Sequence, residues 1–161
     1  MATNATHGPV DVLVGRVAER AAARQLTIAV AESLTGGQLA TALAAGEGSG
    51  SWFRGSVVAY HPEVKFAVLG VTPGPVVTAR TAREMAQGAA HLLGADLAVS
   101  VTGVGGPGPE EGQPAGTVFL CTAGPDFEAE VSEQHFPGDP IDVLHATIRC
   151  ALASLVARLE A

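Results

Sequence analysis

The stretch Leu26-Thr27-Ile28-Ala29-Val30-Ala31-Glu32-Ser33-Leu34-Thr35-Gly36-Gly37-Gln38-Leu39-Ala40-Thr41-Ala42-Leu43 decides the fold class. The apolar run over 26–31 predicts a strand, and the run over about 36–45 a helix closed by Gly46 and Gly48. The turn between them holds a carboxylate, a hydroxyl and two glycines. A helix N-terminus offers free backbone N–H groups and the positive end of the helix dipole, so this junction suits a negative charge. Ser33 at such a place is a nucleophile, an anion ligand or a cap.

Working outward, Val10, Leu13, Val14, Val17, Ala18 and Ala21 recur with helical spacing and predict an amphipathic helix over about 9–24. On the other side, 55–60 reads as a second strand, followed by one or two helical turns over 62–69 with Pro62 near their start. Thr78 is placed to cap a helix over about 79–93. Strands are predicted at 96–102, 115–122 and 127–136, the last two joined by a short hairpin at Gly124-Pro125-Asp126, and a final helix at about 140–159. The order predicts an α/β sandwich with a mixed sheet, its parallel strands in the middle and an antiparallel edge. One domain is expected over 1–161, with 1–9 a flexible tail.

Composition narrows the partners. The chain has 161 residues, and only 4% are aromatic, so its core has to be built from Ala, Val and Leu. A net charge of -7 with no basic patch argues against nucleic acid. Cys121 and Cys150 lack metal-type spacing and read as buried small hydrophobes, and the five histidines show no ligand spacing either. No metal and no cofactor are therefore expected. Met1 to Pro9 lacks a signal-peptide core, and no apolar run approaches the roughly 18 residues of a membrane span, so a cytoplasmic protein away from membranes is expected.

Three segments carry candidate chemistry. Thr35 and Gln38 have the spacing of a capping box, which assigns the cap to Thr35 and frees the Ser33 hydroxyl. Ser33 bonded only to the turn backbone is the plainer alternative. The segment is not the G-x-S-x-G elbow of hydrolases, because Ala31 and Thr35 stand at the glycine places. Lys65 is the only lysine among nine basic residues. A desolvated lysine loses its proton and acts as a base, which arginine does not, so Lys65 is a candidate partner for Ser33; a solvated surface lysine is the alternative. Tyr60 is placed to relay a proton or polarise a leaving group.

The run Thr102-Gly103-Val104-Gly105-Gly106-Pro107-Gly108-Pro109 matches a dinucleotide fingerprint by letter, but its prolines forbid the helix that must follow. A loop lining a pocket, with N–H groups for an anion or an oxyanion, fits better than a plain turn. Glu32 either bonds the turn backbone or orients a substrate hydroxyl. Glu110 and Glu111 read as a solvated loop tip.

Residues 31–37, 55–65 and 98–107 together resemble the CinA C-terminal domain family, and Gly116-Thr117-Val118 and Phe136-Pro137-Gly138-Asp139 extend the likeness over about 10–160. Members include nicotinamide mononucleotide deamidases. The resemblance implies a three-layer α/β/α domain, a homo-oligomer, and metal-free hydrolysis of the carboxamide of nicotinamide mononucleotide, a small-molecule substrate. It implies Ser33 as nucleophile, Lys65 as base and Tyr60 as relay or positioning group. It also implies substrate binding by Glu32, Thr35, Gly36, Gly37, Thr102, Gly103, Gly105, Gly106 and Pro107. The chain departs from the family pattern at His61 and Pro62, usually Ser and Asn, and at Pro140 and Leu144, usually Arg. The alternative is a paralogue that binds a nucleotide-like ligand or a protein without turnover.

Overall fold

The computed structural model describes residues 8–161; most of the tail expected at 1–9 lies outside the described residues. Five strands, β1 (Ile28–Glu32), β2 (Phe53–Val58), β3 (Leu97–Gly103), β4 (Thr117–Gly124) and β5 (Phe127–His135), form one sheet in the order β2-β1-β3-β4-β5. β2, β1 and β3 run parallel, and β4 and β5 are antiparallel neighbours beyond β3. The mixed sheet is as expected, but the parallel strands reach one edge through β2, so they do not occupy only the middle.

Six helices cover the two faces: α1 (Val10–Arg24), α2 (Gln38–Ala44), α3 (Ser49–Trp52), α4 (Pro62–Leu69), α5 (Ala79–Leu93) and α6 (Pro140–Glu160). The short α3 has no counterpart among the expected elements; one helical turn carries too little periodicity to be seen. Side chains alternate across the sheet as the pleat requires. Ile28 and Val30 of β1, with Leu97, Val99 and Val101 of β3, pack with α1, α2 and α6. Ala29, Ala31 and Ala98 face the other way, against Met85, Ala89 and Ala90 of α5. The result is a three-layer α/β/α domain.

The second face is built from small residues, which lets α5 lie close to its neighbours. Gly88 marks the tightest approach, since a Cβ there overlaps the Leu69 carbonyl at the end of α4. Gly88→Ala is expected to lower stability by about 2 kcal/mol, because backbone and not a flexible side chain has to give way. Thermal unfolding checks this. A stabilised variant, as alanine's higher helix propensity alone predicts, contradicts the packing argument.

Helix α6 is 21 residues long and apolar enough to cross a membrane by length and composition, although His145, Arg149 and Arg158 interrupt its apolar run. Its apolar residues are core: Val143, Ile148, Ala151, Leu152, Leu155 and Val156 pack with α1 and the sheet. Asp139 caps its start by accepting the N–H groups of Ile141 and Asp142, and the Asp139 N–H in turn donates to the Asp142 carboxylate.

Candidate active site

Parallel neighbours bring their carboxyl ends together, and that is where an open α/β sheet forms its binding crevice. Here β1 ends into Ser33, β2 into Ala59 and Tyr60, and β3 into the loop beginning at Gly103. A cleft of about 300 Å³ opens there, lined by Ser33, Leu34, Tyr60, Gly103, Gly105, Gly106 and Glu110, and by Pro140, Ile141 and Leu144 of the first turns of α6. Its volume lies at the small end of the range for ligand pockets.

Ser33 is only 8% exposed and Lys65 only 1%. Lys65 reaches the site because α4 buries positions 65 and 69, one helical turn apart, with Phe66 partly buried beside them. Pro62 sits at the first helical position, where a missing N–H costs nothing, and His61 caps the helix by accepting the Glu63 N–H at its Nδ1. Lys65 Nζ lies 3.0 Å from Ser33 Oγ and donates to the carbonyls of Ala59 at 2.8 Å and Tyr60 at 3.4 Å. Burial lowers the Lys65 pKa from 10.5, while the carboxylates of Glu111 and Glu110 act in the opposite sense. A neutral amine has two hydrogens and one lone pair. With the hydrogens on the two carbonyls, the lone pair faces the Ser33 hydroxyl.

Glu32 is fully buried and does not reach the cleft. Its Oε1 accepts from Thr35 Oγ1 at 2.8 Å and Leu39 N–H at 2.9 Å; its Oε2 accepts from Ala40 N–H at 3.1 Å and Ser56 Oγ at 3.0 Å. Glu32, and not Thr35, thus caps α2, whose N-cap residue is Gly37. The capping box expected from Thr35 and Gln38 does not form, because the helix starts two residues later than that box requires. The negative charge that suits this helix terminus comes from the chain itself.

Of the other expected binding residues, Gly103, Gly105 and Gly106 line the cleft; Thr35, Gly36, Gly37, Thr102 and Pro107 are not among its lining residues. Thr102 is buried and donates its hydroxyl to the Val76 carbonyl. Gly103 lacks a side chain for packing reasons, since a Cβ would overlap the Thr117 carbonyl on β4. Tyr60 lines the cleft with its side chain 71% exposed; its carbonyl, not its hydroxyl, touches Lys65.

The loop tip is exposed as expected but carries a structural bond as well. Glu111 and Gly112 both take positive φ, at the tip of a tight turn closed by reciprocal Glu110 and Gln113 backbone bonds. Glu111 is exposed, yet its carboxylate also accepts the N–H groups of Val76 and Val77, and Glu110, exposed as well, lines the cleft. No spacing signal links 111 to 76, so only the folded chain shows this latch. Among the described residues, no group of three or more His, Cys, Asp or Glu is placed to hold a metal ion.

The fold and site together define an α/β/α domain with a buried serine–lysine pair at the carboxyl ends of its parallel strands. The chain belongs to the CinA C-terminal domain family, whose model matches residues 11–159. It is 36% identical over 155 residues to Protein YdeJ of Escherichia coli, covering 91% of this chain and 88% of that protein. It is 43% identical over 137 residues to a CinA-like protein of Frankia casuarinae, covering 82% of this chain but only 31% of the longer relative. A CinA superfamily protein of Klebsiella pneumoniae superposes with a TM-score of 0.90 at 34% identity, covering 95% of this chain and 99% of that one.

Proposed function

We propose that this chain is an amidohydrolase that cleaves a nicotinamide-type carboxamide, with Ser33 as nucleophile and Lys65 as general base. The observation that carries this reading is the 3.0 Å approach of a buried lysine amine to the serine oxygen at the wall of a cleft. Lys65 takes the Ser33 proton as Oγ attacks the carboxamide carbon, and the carbonyl π electrons move to oxygen. Gly105 and Gly106 line the cleft, and their N–H groups are the candidate donors for that oxyanion. Collapse breaks the C–N bond, and the protonated Lys65 gives its proton to the departing ammonia. Water then hydrolyses the acyl-serine, Lys65 again taking the proton, to release the carboxylate and restore Ser33.

Nicotinamide mononucleotide is the reference substrate, as the family resemblance implies. Incubation with it, followed by assay of ammonia and nicotinate mononucleotide, tests the reading. No ammonia from any nicotinamide-type carboxamide contradicts it and favours a binding paralogue. Because the base must be neutral, kcat/KM is expected to rise with pH and level off above an apparent pKa below 10.5. The same shift means that the unfolded chain takes up a proton the folded chain refuses, so stability also rises with pH across the window ending near 10.5. Glu110→Gln removes one carboxylate that favours the charged amine, so the midpoint of the rate profile is expected to move down, not up.

A further inference from the structure

The cleft that holds Ser33 has a one-sided charge. Its lining residues include Glu110 and no lysine, arginine or histidine, and Lys65 lies behind Ser33 with its amine spent on two carbonyls and the serine oxygen. Helix N-termini are the other usual source of anion binding. The helices that begin beside this cleft have theirs capped by the chain itself; in α4 the His61 ring takes the Glu63 N–H. Glu32 takes the Leu39 and Ala40 N–H groups of α2. Asp139 takes those of Ile141 and Asp142 in α6, where Pro140 has no N–H to offer. The wall that α6 presents is apolar, made of Pro140, Ile141 and Leu144.

A phosphate entering here meets a carboxylate and an apolar wall, and loses its water without gaining a cation, while the N–H groups of Gly105 and Gly106 are engaged by the carboxamide oxygen. The net charge of -7 opposes its approach as well. A positively charged aromatic ring meets the reverse. Glu110 supplies a counter-charge, and the exposed ring of Tyr60 supplies a π surface for a cation. The tight turn at Glu111-Gly112 and the latch from Glu111 to Val76 and Val77 hold Glu110 in place.

From this we infer that the cleft selects a carboxamide on a positively charged, phosphate-free scaffold, of the kind an N-substituted pyridinium provides. The inference rests on the carboxamide chemistry proposed for Ser33, and Glu110 is its specificity-determining residue.

Two pairs of probes isolate the two parts of the inference. Nicotinamide riboside and nicotinamide mononucleotide share carboxamide and pyridinium and differ by the phosphate; N1-methylnicotinamide and nicotinamide differ by the ring charge. Binding to the Ser33→Ala chain is measured by calorimetry, so that turnover does not enter. The riboside is expected to bind about tenfold more tightly than the mononucleotide, and methylnicotinamide several-fold more tightly than nicotinamide, about the size of a single partly screened charge interaction. Glu110→Gln is expected to remove most of the second preference, and Leu144→Arg to bring the mononucleotide level with the riboside. A mononucleotide bound as well as or better than the riboside overturns the inference. So does an absent preference for the charged ring, or no binding by any probe. Failure of the hydrolytic reading is seen separately, as no ammonia from the unaltered chain, whatever the order of affinities.

Discussion

Lys65→Met is expected to cut carboxamide hydrolysis by at least about 10³-fold while the sheet and its helices stay folded. The methionine keeps the length and burial of the side chain but has no lone pair to receive the Ser33 proton. Ser33 then attacks only as a neutral hydroxyl, and the departing nitrogen has no proton donor. Stability is expected to change by no more than about 2 kcal/mol, because two effects oppose. The cost of burying an amine disappears, but the carbonyls of Ala59 and Tyr60 lose their donor. Lys65→Arg sharpens the test: a guanidinium keeps the charge and never acts as a base. A role in charge alone leaves activity with Arg, whereas a role as base removes it in both variants. Ammonia release, with circular dichroism as the control for folding, separates these outcomes, and turnover near the unaltered rate in the Met variant contradicts the assignment.

Glu32→Ala is expected to lower stability by about 3 kcal/mol, combining a lost helix cap with buried donors left unpaired. Four donors converge on the Glu32 carboxylate, and the two N–H groups of α2 among them have no other partner in reach of the chain's own cap, since Gly37 has no side chain. Glu32→Gln is expected to recover much of the loss. Its amide oxygen still accepts from the α2 N–H groups, and its NH2 donates to the hydroxyl oxygen of Ser56 or Thr35. Urea unfolding of the three proteins gives the order Glu, Gln, Ala. The turn that Glu32 anchors also carries Ser33, so activity is expected to fall with stability. A Glu32→Ala chain as stable as the unaltered one, but with weaker substrate binding, reverses the assignment and returns Glu32 to the substrate.

Much of this was legible because local rules act over a few residues. Thr78 and the helix after it, Pro62 at the start of α4, and the strand–turn–helix from Ile28 to Ala44 all follow from periodicity and caps within one or two turns. The cap of α2 was misassigned to Thr35 for the same reason. Its true acceptor comes from the end of the preceding strand, seven and eight residues before the N–H groups it satisfies. Glu110 and Glu111 are the exposed loop tip that acidic residues beside glycine predict, but the latch from Glu111 and the place of Glu110 at the cleft have no local signal. Their places depend on Val76 and Val77, some 35 residues away.

The sequence by itself determined the elements other than the one-turn α3, their order, the α/β class, and the turn that places Ser33 at the end of a strand. It singled out Lys65 by chemistry but not by position. Only the tertiary structure decided that Lys65 is buried against Ser33, that the start of α6 walls the cleft with apolar side chains, and that the N-termini of α2 and α6 are filled by carboxylates. The physical reason is sheet order. With β2, β1 and β3 side by side, residues 33, 60 and 103 meet at the carboxyl ends of the parallel strands. That adjacency is a property of strand pairing across the chain, which no window of neighbouring residues contains.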